Sequence, residues 1–116
     1  IKCIENRVQM DLFDDYKISS IDIYKFSELL FNSIEKDLTG TFNLGSREVF
    51  SKKEIIFEFS KQMGIQLYKP CVKKSKFKTI RSQNCGLDVS KIEKALKKKM
   101  PNLSEVVSNV LSNYSI

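Results

Sequence analysis

The sequence contains no histidine and no tryptophan, and only 2 prolines, 4 glycines and 3 cysteines in 116 residues. Without an imidazole the chain supplies no Ser-His-Asp or Cys-His machinery of its own, and no histidine-based metal site. Cys3, Cys71 and Cys85 are odd in number and widely spaced, with no C-x-x-C pair. Neither a disulfide framework nor a zinc site is expected, and a reducing cytoplasm suits them. The scarcity of Gly and Pro excludes collagen-like and Pro-rich architectures. No apolar run approaches the roughly 20 residues of a membrane helix, so no membrane partner is expected. The stretch after Ile1 does not have a signal-peptide pattern. Because the sequence opens on Ile1 rather than Met, it is expected to be a piece of a longer polypeptide.

What is present is globular in character: 41% hydrophobic residues and 29% charged ones. Twenty Lys and Arg face fourteen Asp and Glu, a net charge of +6 that favours anionic partners. The excess is concentrated in two stretches. Lys69, Lys73, Lys74, Lys76, Lys78 and Arg81 are interleaved with Tyr68, Val72 and Phe77. Lys94, Lys97, Lys98 and Lys99 read as a solvated helix end, where cations complement the dipole.

Alternation of Val8, Met10 and Leu12 predicts a half-buried strand over 7–13, with a turn at Asp14-Asp15. From Asp22 the period becomes helical, with Ile23, Phe26, Leu30 and Ile34 on one face, Leu29 alongside and Asp22 as cap. Phe42 and Leu44, between Gly40 and Gly45, predict a brief buried strand. Ser51 and Glu54 have capping-box spacing before a helix that Gly64 would end. Residues 65–72 read as an extended segment broken by Pro70, and 73–85 as a basic loop. Ser90 and Glu93 repeat the box before a helix ending near Met100, and Asn102 opens the last helix with Val106, Val107, Val110 and Leu111 as its apolar face. The expected fold class is α/β or α+β: one small lobe of about four helices and two to three short strands over 1–116.

Familiar chemistry is missing from the pattern. Gly40 and Gly45 bracket a strand rather than open a helix, so they fit neither a dinucleotide loop nor a P-loop. Tyr16, Tyr24, Tyr68 and Tyr114 have no Lys four residues on. Asp14 with Asp15 is read as a solvated bend rather than a catalytic pair.

Three stretches together resemble the C-terminal half of extended short-chain dehydrogenase/reductase proteins (the NAD-dependent epimerase/dehydratase superfamily), closest to the dTDP-4-dehydrorhamnose reductase-like branch. They are residues 18–36, an Asp-started helix after a short strand; residues 38–64, with Gly40, Phe42, Asn43, Leu44, Gly45 and Ser51; and residues 81–111, with Arg81, Leu87, Asp88, Ser90, Lys91 and Pro101. Ser82 departs from the Pro common in relatives, and 69–78 matches no family pattern. The resemblance implies the substrate-binding lobe of a two-domain cytoplasmic enzyme that acts on nucleotide-sugars in surface polysaccharide biosynthesis. An N-terminal Rossmann domain, absent here, would hold NAD(P) and the catalytic Tyr and Lys. No catalytic, cofactor or metal residue is then expected within this chain.

The resemblance also implies the binding residues. Arg81 is the candidate for the diphosphate, because a guanidinium fork matches phosphate oxygens. Lys76 and Lys78 would add positive potential. Ser19 and Ser20 precede the first long helix, where the family places its substrate. Asn43 is expected to tie backbone groups instead, and Phe42 and Leu44 to be core. A rival reading is a non-catalytic binding or regulatory module of the same family. Another, ranked last, is a small basic nucleic-acid-binding domain, for which only Tyr68 and Phe77 could serve as stacking residues, so a nucleic-acid partner is not expected. An isolated lobe is expected to expose a large apolar patch or to form a homo-oligomer.

Overall fold

The computed structural model describes residues 1–73 and 82–114. In chain order the elements are α1 (Lys2–Glu5), β1 (Asp11–Phe13), β2 (Lys17–Ile18), α2 (Ile23–Glu35), β3 (Phe50–Ser51), α3 (Lys52–Met63), β4 (Cys71–Lys73), β5 (Asn84–Cys85), α4 (Ser90–Leu96) and α5 (Leu103–Ser112). The α/β expectation holds, with one extra single-turn helix and more, shorter strands. Two small sheets form: β1 pairs parallel with β4, while β2 lies antiparallel to β3 and parallel to β5.

Local chemistry sets the helix starts. Asp22 caps α2 by accepting from the Lys25 backbone N–H at 2.8 Å. Ser51 and Glu54 form the anticipated box at α3, and Gly64 ends that helix in the left-handed region at φ 66°. Asn102 and Glu105 form a second box at α5. The box expected at Ser90 does not form. The Ser90 backbone N–H donates to the Asp88 carboxylate at 2.9 Å, so Asp88 serves this end.

α4 stops at Leu96 rather than near Met100, with Lys97 in the left-handed region at φ 55°. Glu93 reaches forward to accept from the Met100 backbone N–H at 2.7 Å, which turns the chain toward Pro101. Glycine is the residue that usually occupies such a helix end. Lys97→Gly is therefore expected to stabilise the fold by about 1 kcal/mol, read as a rise in the thermal midpoint.

Leu29 of α2 packs with Val89, Ile92, Leu96 and Met100 to make the central core, with Ile21, Leu38, Phe42 and Leu44 half-buried against it. α5 contacts both α2 and α3, and α3 also packs on β1.

Several expectations are corrected. Only Asp11–Phe13 of the strand expected over 7–13 is strand; residues 2–5 turn as helix and Val8 is exposed. No strand runs between Gly40 and Gly45, because that loop packs by its side chains and pairs with no strand edge. The stretch expected as a basic loop begins inside β4 at Lys73 and ends inside β5 at Cys85.

The largest correction is on α2. Leu29 is its fully buried residue at 0% exposure, while Ile23, Ile34 and Phe31 are 66%, 65% and 62% exposed. At about 100° per residue, its apolar positions spread over roughly 220°, more than one contact needs. The stripe read from the sequence is real, but its far side is left mostly exposed.

Surface measures agree. The accessible area is 8060 Å², against about 6500 Å² for a folded chain of this mass. The radius of gyration is 16.1 Å, against about 13 Å for a self-contained domain of this length. No described helix is long and apolar enough to cross a membrane.

Candidate functional site

β2 lies between β3 and β5, so the chain leaving it at Ser19 starts from a fixed point. The Lys17 backbone N–H donates to the Gln83 carbonyl at 2.9 Å. The Ser19 hydroxyl accepts from the Leu87 backbone N–H at 3.1 Å. Across from it, the Asn43 amide donates to the Asp88 carbonyl at 3.0 Å. Asn43 thus ties backbone, as expected, although in a loop and not at a strand end. Asp22, buried, closes the turn from below by accepting from the Asn109 amide at 3.2 Å. Three segments, 19–22, 43–46 and 85–89, are thereby held as one surface.

Gly45 lets them meet. A methyl group there would come within 2.8 Å of the Ser19 carbonyl oxygen and 3.3 Å of Leu87 Cδ1. The first neighbour is backbone and cannot swing aside. Gly45→Ala is expected to push the 43–46 loop off the Ser19 turn, lowering the thermal midpoint and displacing Ser19 and Ser20 together. Thermal unfolding checks the first effect, and amide exchange at 19–22 the second.

Ser19 and Ser20 are both half-buried in this turn. Arg81, Lys76 and Lys78 lie outside the described residues. The segment that follows Arg81 in sequence, Asn84–Cys85, pairs directly with β2. Phe42 and Leu44 are packed against the core without being sealed in it.

A polar network stands just before the site. Asp14 accepts from the Ser51 hydroxyl at 2.9 Å and from the Lys53 ammonium, and Ser51 is fully buried. The hydrogen bond from Lys53, then that from Ser51, holds the Asp14 carboxyl below its ordinary value. Asp14 is consequently a fixed anion that ties the β1–β2 connection to the start of α3, and not a proton donor. Ser51→Ala removes both the cap and this tie, with an expected loss of about 1–2 kcal/mol by chemical denaturation.

Other carboxyls are lowered too. The backbone N–H of Met100 lowers Glu93, that of Ser90 lowers Asp88, and hydrogen bonds from Lys25 and Gln62 lower Glu28 and Glu58. A depressed folded value means stabilisation is complete above the unfolded carboxylate range, near about 4, and is lost as pH falls through the folded values. Circular dichroism is expected to show little change from pH 7 to pH 5 and progressive loss of helix below pH 4.

Among the described residues no cluster of three or more His, Cys, Asp or Glu could hold a metal. No described segment builds a dinucleotide loop either: Gly40 and Gly45 flank an irregular stretch, and neither opens a helix.

The network missed in the sequence is the long-range part. Asp22 to Asn109 and Ser19 to Leu87 join positions far apart in the chain, and no local pattern marks such pairs.

No family model and no curated protein sequence matches the chain. Solved structures do. dTDP-4-dehydrorhamnose reductase from Bacillus anthracis, in complex with NADP, superimposes with a TM-score of 0.84 at 11% identity, over 97% of this chain and 41% of that one. The chain has the fold of part of a dTDP-4-dehydrorhamnose reductase. It spans about two fifths of the reductase's length. WbmG from Bordetella bronchiseptica, in complex with NAD and UDP, matches with a TM-score of 0.70 at 20% identity, over 96% of this chain and 36% of that one. UDP-glucose 4-epimerase from Bifidobacterium longum, in complex with NAD+ and UDP, matches with a TM-score of 0.65 at 18% identity, over 91% and 36%. The fold is therefore common to reductase and epimerase alike.

Proposed function

We propose that residues 1–116 are the C-terminal substrate-binding lobe of an NAD(P)-dependent nucleotide-sugar reductase or epimerase, cytoplasmic and engaged in surface polysaccharide biosynthesis. The observation that carries the reading is the shared fold, nearly complete for this chain yet covering only two fifths of proteins whose structures hold NAD(P) or UDP. The uncovered side of α2 supports it, since a second domain would bury that face. On this reading the hydride chemistry, the nicotinamide and its proton relay belong to the remainder of the polypeptide.

This chain's own residues bind and orient. Ser19, while accepting from Leu87, can turn its O–H toward a sugar hydroxyl, and Ser20 stands beside it. Arg81 supplies two parallel N–H donors to the diphosphate, and Lys76 and Lys78 raise the local positive potential. The Gly45 contact keeps the turn at fixed height, so the sugar's reacting carbon is set by packing.

Calorimetric titration of UDP and dTDP into the full-length polypeptide tests this. One of the two is expected to bind, with at least tenfold weaker binding in Arg81→Ala. Absence of binding by either, or an unchanged affinity in Arg81→Ala, refutes the assignment.

A further inference from the structure

The second lysine stretch departs from the simple helix end that the sequence suggests. Residues 91–99 carry five lysines against one glutamate, a local excess of four positive charges in a chain whose whole excess is +6. Lys91, Lys94, Lys97, Lys98 and Lys99 line a single open cleft of about 620 Å³ along the outer side of α4, with Glu93 as its one carboxylate. Glu93 is already engaged by the Met100 backbone and by Lys99 at 3.3 Å. Lys98 has only a long, exposed pair with Glu28 at 3.5 Å. Among the described residues, Lys94 and Lys97 have no anionic partner.

Two features exceed what a dipole-complementing helix end requires. Cations favoured by the dipole sit within the last turn, whereas Lys97, Lys98 and Lys99 lie beyond it. Lys97 also holds a left-handed conformation that glycine would adopt more easily, at φ 55° and ψ 35°. Lys94 and Lys97, without an anionic partner among the described residues, repel each other and the lysines around them unless an anion joins them. The concavity does not match a planar bilayer, and none of its lining residues is aromatic; Lys91 itself lies over the Phe42 ring at 4.5 Å and donates to the Thr41 carbonyl at 2.7 Å. Charge, spacing and shape fit a flexible chain of phosphates and offer nothing for base stacking.

We propose that the α4 cleft is a second anion site, which binds closely spaced phosphates, as in an inorganic polyphosphate or the backbone of a single-stranded nucleic acid. The site is separate from the Ser19 turn and does not depend on the nucleotide-sugar reading.

The test uses the full-length polypeptide carrying this chain, titrated with inorganic polyphosphate and with a single-stranded oligonucleotide at low and moderate salt. A patch variant, Lys94→Gln with Lys97→Gln and Lys98→Gln, is compared with an equal-charge control, Lys2→Gln with Lys61→Gln and Lys69→Gln. The patch variant is expected to lose at least tenfold in affinity. Its log–log salt slope should fall by about two units, as three lost phosphate contacts imply. The control should change less than threefold. Lys97→Gly gives a second readout, with weaker binding despite a higher thermal midpoint, a split that a purely structural lysine does not produce. A preference for one probe, lost in the patch variant, identifies the phosphate source and supports the proposal. No binding of either probe, equal losses in patch and control, or unchanged affinity in Lys97→Gly overturns it.

Discussion

Leu29→Ala is expected to cost about 2–5 kcal/mol, enough to unfold much of the population at body temperature. The leucine is wholly buried and is the α2 residue at the centre of a cluster otherwise built from Val89, Ile92, Leu96 and Met100. Those four come from the α4 region, so removing Leu29 opens a cavity between the two halves of the core. Neither side can collapse freely, because α2 is fixed at its start by Asp22 and α4 is fixed at its end by Glu93. Denaturant unfolding should show a shifted midpoint with the slope retained. A loss below about 1 kcal/mol would mean that this cluster is not the core.

The opposite result is expected a few residues away. Phe31→Glu with Ile34→Glu, on the same helix, should leave the stability of the 116-residue chain almost unchanged and reduce its self-association. Both side chains are mostly exposed, so little packing is lost. In the full-length polypeptide the same pair should be severely destabilising, by about 3 kcal/mol or more. Two buried apolar side chains are each worth roughly 1.5–3 kcal/mol, and two charges would be trapped at the contact. Thermal unfolding of both forms, side by side, checks this. Equal tolerance in both would leave the α2 face uncovered in the whole protein and would remove the surface argument for a second domain.

The contrast between these helix positions shows how much the sequence discloses. Period alone located α2 and its cap, because an Asp before a helical apolar repeat has few other uses. The same period could not choose which side of a wide apolar arc faces the core. Leu29, taken only as an accessory, is central, whereas Ile23 and Ile34 point away. Periodicity records that a face wants covering and says nothing about which body covers it. The box at Ser51 was legible because both partners lie within four residues, and at Asn102 the helix start was legible though its box with Glu105 was not named. The one at Ser90 was misread because the competing acceptor, Asp88, sits just outside the helix and is equally short.

The candidate site was legible only in outline. Phe42 and Leu44, between Gly40 and Gly45, suggested a strand, but the stretch is a loop whose close approach to Ser19 is set by tertiary packing. Ser19 and Ser20 drew notice through family likeness, and their restraint by Leu87 and Gly45 emerges only when distant segments are brought together. Lys97 illustrates the converse: its count among lysines was plain in the sequence, while its left-handed backbone was not, since nothing local demands it.

The most direct test of the account is hydrogen–deuterium exchange on the full-length polypeptide with and without saturating UDP or dTDP. Slowed exchange is predicted at residues 19–22, 43–46 and 85–89, the three segments joined around Ser19, with the α3 amides unaffected. Protection confined to other segments, or none in this chain, would contradict the placement of a nucleotide-sugar against this lobe.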